Sequence, residues 1–268
     1  MKIPALCLSL TLIALSAAAQ TPATPKPATS QATTGTHPTT THRMTTTTDP
    51  ALLHPATLKA KAPDVYEATF VTTRGNFVIQ VTRAWAPLGA DRFYNLVKHG
   101  FYNGNPFFRI VMIQNGYIVQ FGLSGNPAVN TAWEDANFPD DRVTQSNLGG
   151  FVTFAKTAAP NSRTTQLFIN LGDNPGLDSQ GFAPFGKVIS GMDVLNSLYR
   201  GYGENPDQDQ IRTKGTAYFS KQFPNLDLIK TATITSPAPT AAPTRSTTSG
   251  AATHHTTTTP SGGTKPTQ

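Results

Sequence analysis

Every bulky ring in this chain lies in one stretch. The 24 aromatic residues (15 Phe, 7 Tyr and 2 Trp) all fall between Tyr66 and Phe223 of a 268-residue sequence. A chain without bulky side chains cannot bury enough apolar surface to offset its conformational entropy. The confinement therefore predicts a single core with flanks that do not fold, and it argues against two domains. Composition sets the boundaries: a leader at 1–19, a Thr/Pro-rich segment at 20–63, a folded domain at 64–235 and a second Thr/Pro-rich tail at 236–268.

The leader has the parts of a secretory signal. Lys2 starts it, Leu6 to Leu15 form a short apolar run, and Ala17-Ala18-Ala19 offer small residues for cleavage before Gln20. The run is too short for a stable membrane span, and no other segment is long enough to make one. An uncleaved anchor is the competing reading. The only cysteine, Cys7, sits inside this run, so cleavage leaves a mature protein with no thiol. The expected location is periplasmic or extracellular. One cysteine also excludes a disulfide scaffold and a cysteine-ligated zinc site.

Fourteen threonines in residues 20–57 and eleven in 236–268 mark extended, solvated chain, expected to be disordered. A stalk making contact with a cell surface is one reading of these tails; an unconstrained tail is the simpler one. His254-His255 in the second tail is weak support for metal binding. The tails also explain the charge. Leu58 to Ile234 carries 16 Lys and Arg against 14 Asp and Glu, whereas the ends carry five basic residues and one acidic. The net +6 is therefore not a basic face for nucleic acid.

Within the core, Tyr66 to Thr72 and Phe77 to Val81 read as a hairpin turned at Gly75, with Tyr66, Ala68 and Phe70 on one face. Pro87 opens a helix carrying Ala90, Phe93, Leu96 and Val97, which Gly100 ends. A second helix is expected from Ser190, as N-cap, to Tyr199. Short apolar runs at 107–112, 117–121, 150–155, 166–171 and 182–189 are broken by Gly, Pro and Asn. The pattern is that of a mainly β protein, a barrel or a sandwich, and two α-helices among many short strands suggest a closed barrel with helices capping its open ends.

The chemistry available is limited. His99 is the one core histidine, placed at a helix end where it is expected to meet the last carbonyls. No catalytic triad or histidine-rich metal site assembles from it, and no metal or other cofactor is expected. Glu134-Asp135 and Asp140-Asp141 leave open a carboxylate hydrolase, and Asp207 with Asp209 lacks the remaining spacing of a calcium loop. What stands out is Arg109 in Phe107-Phe108-Arg109-Ile110-Val111, followed by Tyr117 and Gln120, with Gln166 and Phe168 further on. Arginine is a fixed donor and not a proton shuttle. On these residues alone, a surface ion pair beside ordinary core aromatics is the simpler account.

The order of the motifs adds more. Phe101-Tyr102-Asn103-Gly104 with Phe107-Phe108-Arg109, Tyr117 to Gly122, Phe154-Ala155 with Pro160-Asn161, and Gln166 to Ile169 form one series. Leu177-Asp178, Phe185 to Val188 and Gly191 to Leu195 continue it. Together they resemble the cyclophilin family of peptidyl-prolyl cis-trans isomerases across the whole core. Gly201-Tyr202-Gly203-Glu204 through Asp227 is similar to an extension in exported bacterial members.

The resemblance implies an eight-stranded antiparallel barrel closed by two helices, acting without cofactor on proline-containing polypeptides, as a monomer. It implies Arg109 and Gln120 as catalytic residues, and Tyr117, Ala155, Gln166, Phe168, Leu177 and Phe182 as substrate-binding residues. A proline-peptide-binding or chaperone module with little turnover is the alternative. Four positions depart from the family pattern. Phe108 replaces a common His, the Arg109–Tyr117 spacing is longer, Gly176 stands where an aromatic is frequent, and Phe182 stands where His is frequent.

Overall fold

A computed structural model describes residues 48–113 and 116–235. The leader, most of the first Thr/Pro-rich segment, the second tail and His254-His255 lie outside the described residues.

Alternation builds the first hairpin. Strand β1 (Val65–Thr72) buries every second residue, and β2 (Asn76–Thr82) pairs with it antiparallel, Phe70 opposite Phe77. Gly75 makes the turn at φ 137°, in the region that side chains with a Cβ rarely adopt. Helix α1 (Pro87–Lys98) begins at a proline that needs no N–H partner. Its next amides, Leu88 and Gly89, donate to the Asp141 carboxylate at 3.1 and 2.7 Å, a cap supplied from far along the chain. Half of the polar loop read as a possible acid pair is thus structural: Asp141 caps α1, and Asp140 pairs with Arg163.

Strands β3 (Arg109–Ile113), β4 (Gly116–Phe121), β5 (Phe151–Phe154), β6 (Leu167–Asn170), β7 (Pro184–Ser190) and β8 (Ile229–Thr235) complete one antiparallel sheet. The order is β3-β4-β6-β5-β7-β2-β1-β8. This corrects the expected closed barrel to a half-barrel, in which β3 and β8 do not pair. Residues 105–107, ahead of β3, meet the start of β8 and the residues before it, at a Pro106–Leu228 bridge flanked by Phe107 N–H to Asp227 O (3.0 Å) and Ile229 N–H to Asn105 O (2.9 Å). Pro106 has no N–H with which to continue the ladder.

The concave side is filled by rings. Phe70, Phe77, Phe93, Tyr102, Phe107, Phe121, Phe154 and Phe185 are all buried, with centroids such as Phe70–Phe77 at 4.8 Å and Phe93–Phe185 at 5.0 Å. Each is a favourable offset or edge contact in addition to its buried area. Helix α1 lays Ala90, Phe93, Leu96 and Val97 on this core.

The helices exceed the two expected. Besides α1 there are α2 (Pro127–Trp133), α3 (Met192–Asn196), α4 (Gln208–Lys214) and α5 (Thr216–Gln222). Ser190 ends β7 and is not the cap of α3; Gly191, at φ 83°, precedes that helix. Asp207 caps α4 by accepting from the amides of Asp209 and Gln210 (2.8 and 3.0 Å), which accounts for that carboxylate without a cation. Gly215 joins α4 to α5 where a Cβ would sit 2.1 Å from the Gly125 carbonyl oxygen. The two helices cover a second cluster of Phe108, Leu123, Ile211, Phe219 and Leu226. Phe108 is therefore apolar because the 201–227 extension buries it.

Residues 49–62, expected to be disordered with the rest of the Thr/Pro-rich segment, lie against the domain. Leu52 and Ala62 are buried. The Leu52 carbonyl accepts from Trp133 Nε1 at 2.8 Å, Asn95 bonds both polar backbone atoms of Ala60, and Asp91 accepts from Ala62 N–H. The His99 backbone N–H donates to the Asn95 carbonyl at the helix end (3.2 Å), while its ring turns Nδ1 to Asp49 Oδ2 at 2.8 Å.

Candidate active site

The candidate residues Arg109, Gln120 and Phe168 share a cross-strand row with Thr153 on the face of the sheet turned away from the ring core. Arg109 on β3 stands opposite Gln120 on β4, Gln120 opposite Phe168 on β6, and Phe168 opposite Thr153 on β5. Period-two alternation sends Val119, Phe121, Leu167 and Ile169 into the core and leaves the row outward. A groove of about 770 Å³ opens over it.

Of the residues expected to form the site, Arg109, Gln120, Ala155, Gln166, Phe168, Leu177 and Phe182 all line this groove. Tyr117 does not. It is packed partly buried against the main core, with the Arg200 guanidinium 5.0 Å from its ring centroid. Ile118 takes the groove position in its place, buried together with Phe168 and Leu177. The parity of the strand carries that signal: residue 118, not 117, shares a face with Gln120.

The polar part is a chain of side chains. Arg109 Nη1 donates to Gln120 Oε1 at 3.2 Å, and Gln120 Nε2 donates to Gln166 Oε1 at 2.8 Å. Glu204, from the extension, accepts from Arg109 Nε at 3.0 Å and also from Nη2. The apolar part is a floor of Ile118, Phe168 and Leu177, with Phe182 set edge-on to Phe168 at 5.6 Å. Lys156 lies 5.4 Å from the Phe182 ring centroid.

Two buried networks hold this floor. Asn147 donates to Asp178 Oδ1 through both its backbone and side chain (2.9 and 2.7 Å), and to the Phe182 carbonyl (2.9 Å). Thr153 closes the set on Asn147 at 2.9 Å. Burial pushes the Asp178 carboxyl up, but the hydrogen bonds from Ser146 and Asn147 outweigh it and hold the group below its ordinary range. On the opposite rim, Arg92 Nη1 donates to the carbonyls of Ala136 (2.7 Å) and Thr164 (3.0 Å) beneath Trp133 and Phe138. Burial lowers its pKa to about 10, so it stays charged at neutral pH. Nothing in the local sequence pattern marked Asn147 or Arg92.

The extension supplies a wall as well: Gln208 and Arg212 of α4 also line the groove. Among the described residues, no group of three or more His, Cys, Asp or Glu could hold a metal ion. The arrangement offers fixed donors beside an apolar floor, which suits binding and charge stabilisation more than proton transfer.

Comparison with known proteins decides the family. The family model described as cyclophilin type peptidyl-prolyl cis-trans isomerase/CLD matches residues 68–216. The chain belongs to the cyclophilin-type peptidyl-prolyl cis-trans isomerases. It is 37% identical over 135 residues to a peptidyl-prolyl cis-trans isomerase of Acinetobacter baylyi, covering 47% of this chain and 68% of that one. It is 34% identical to peptidyl-prolyl cis-trans isomerase A of Dickeya dadantii, covering 50% and 71%, and 31% identical to the B enzyme of Escherichia coli, covering 48% and 82%. A solved Cryptosporidium parvum cyclophilin is 22% identical, with a TM-score of 0.47, and covers 65% of this chain and 99% of that one. This cyclophilin is a peptidyl-prolyl cis-trans isomerase, built on an eight-stranded antiparallel half-barrel.

Proposed function

We propose that this isomerase acts on proline-containing segments of exported polypeptides and that Arg109 assists the rotation. Peptide-bond rotation faces a barrier of ~18–20 kcal/mol because the nitrogen lone pair is delocalised into the carbonyl. A donor aimed at the prolyl nitrogen favours the pyramidal, localised form reached at the transition state. Each ~1.4 kcal/mol of such selective stabilisation is worth about tenfold in rate. The observation that carries this reading is the Arg109–Gln120–Phe168 row, which sets a guanidinium one strand from an amide and two strands from an apolar floor. The proline ring sits on Ile118, Phe168 and Leu177, and Gln120 keeps the guanidinium turned to it.

Neither a covalent intermediate nor a cofactor enters this mechanism. Export is supported by the leader-like pattern of residues 1–19 and by a core that uses no thiol. The 201–227 extension supports placing the protein with exported bacterial members. The protein works as a monomer in this reading.

The test is a chromogenic X-Pro peptide assay on wild type and Arg109→Lys. Lysine keeps the charge and loses the planar fork. A drop of about tenfold or more is expected; equal rates would remove Arg109 from the mechanism. Mass analysis of the secreted protein, expected to begin at Gln20, tests export.

A further inference from the structure

Arg109 lies on an edge strand, where little from the sheet holds its long side chain. Two groups fix it. Gln120 takes Nη1 at 3.2 Å, and a single Glu204 oxygen takes both Nε (3.0 Å) and Nη2. We propose that Glu204 is a positioning residue of the isomerase, holding the Arg109 fork in its working orientation from within the extension. The proposal rests on the reading of Arg109 as the assisting donor.

The turn that carries Glu204 is anchored, though the carboxylate itself is 65% exposed. Tyr202 stacks edge-on between Tyr199 and Phe223, with centroids at 4.9 and 5.0 Å. Its hydroxyl accepts from Asn225 N–H at 3.3 Å, and its carbonyl accepts from Asn205 N–H at 2.9 Å. Just upstream, Arg200 lies over Tyr117 of β4, the strand that carries Gln120. Just downstream, Gln208 and Arg212 line the groove. The extension thus reaches the site at and after Glu204, and Arg200, just before it, packs on the strand that carries Gln120.

An exposed ion pair adds little to folding stability. Its effect falls instead on orientation. A free arginine carries large rotamer entropy, which must be given up whenever its fork is aligned. A fork already held by a carboxylate and an amide has given that up before substrate arrives. The donors left unclaimed, the second N–H groups of Nη1 and Nη2, are then the ones available to the prolyl nitrogen. Loss of Glu204 should reduce turnover and leave binding to the apolar floor almost unchanged.

The experiment compares full-length wild type, Glu204→Ala, Glu204→Gln, Arg109→Ala and the double variant in steady-state X-Pro isomerisation, with kcat and KM resolved. Glu204→Ala is expected to lower kcat roughly tenfold with KM within about twofold, and Glu204→Gln, which keeps an acceptor oxygen, to fall between. Added salt should bring wild type toward Glu204→Ala, because an exposed pair is screened. In the Arg109→Ala background, Glu204→Ala should add nothing. An additional loss in that background would show a merely structural role and overturn the proposal. So would an unchanged kcat in Glu204→Ala while Arg109→Ala is impaired, or a raised kcat, which would mark Glu204 as a competitor of substrate. If Arg109→Ala itself keeps the wild-type rate, the underlying reading of Arg109 fails, and Glu204 has nothing to position.

Discussion

Gln120 Nε2 donates to Gln166 Oε1 at 2.8 Å, and chemistry allows that bond only one polarity. Arg109 can only donate, so Gln120 must accept with its carbonyl oxygen. The Gln120 amide nitrogen then faces Gln166, which must accept in turn. The remaining donor of the chain is the Gln166 amide, which therefore has N–H groups to offer a substrate carbonyl in the groove.

Gln120→Glu should break this order. An ionised carboxylate only accepts, so Gln166 must turn its own N–H groups toward it and present an oxygen to the groove. Two acceptors would then meet where a donor and an acceptor met. We expect kcat/KM to fall about tenfold or more in the X-Pro assay, with the fold retained. Unchanged kinetics would show that the chain does not orient Gln166.

Phe168 and Phe182 should separate stability from binding. Phe168 is 3% exposed, and Phe168→Ala should cost ~3–5 kcal/mol in urea unfolding, in line with other large-to-small core changes. Phe182 is only half-buried at the groove edge. Phe182→Ala should cost under about 1.5 kcal/mol of stability, yet weaken a proline peptide several-fold in calorimetry. Equal binding by wild type and Phe182→Ala would place the proline elsewhere.

Trp133→Phe tests the docking of residues 49–62. It removes the donor to the Leu52 carbonyl while keeping a ring in the core. The expected loss is about 1 kcal/mol, with faster amide hydrogen exchange confined to 49–62 and the end of α1. A uniform change across the domain would contradict the local role.

Acid should destabilise the domain through three carboxylates. The His99 hydrogen bond holds Asp49 low. Burial would raise Asp91, but the bonds from Arg83 and the Ala62 amide prevail, and the net shift is downward; Asp178 behaves alike. A carboxyl held low in the folded state contributes stability that is full above its unfolded value, near ~3.9 for aspartate, and is lost as pH falls through the folded one. Asp141 runs the other way, because burial raises it. With three groups against one, Tm should fall steeply below about pH 4, and Asp91→Asn should flatten the slope. A Tm that held constant to pH 2.5 would contradict these assignments.

Local patterns carried much of this structure. Alternation in Tyr66 to Thr72 and the Pro87–Gly100 bracket gave β1 and α1 because both are set by neighbours in sequence. What local pattern missed depends on partners far away. Strand β8 pairs with β1 across more than 150 residues, Asp141 caps α1 from 52 residues off, and Glu204 reaches Arg109 across 95. Residues 49–62 contain no Phe, Tyr or Trp yet dock, because Leu52, Ala62 and backbone bonds to Trp133, Asn95 and Asp91 suffice without them. The exchange of Tyr117 for Ile118 is different: strand parity relative to Gln120 was present in the sequence and pointed to Ile118.

In the proposed mechanism a fixed arginine donor speeds rotation of the prolyl bond. The most direct measurement is the rate of cis-to-trans conversion of an X-Pro peptide by full-length wild type and Arg109→Ala at equal, folded concentrations. Arg109→Ala should lose roughly 10²-fold or more in kcat/KM, with peptide affinity changed by far less. A variant that isomerises as fast as wild type would contradict it.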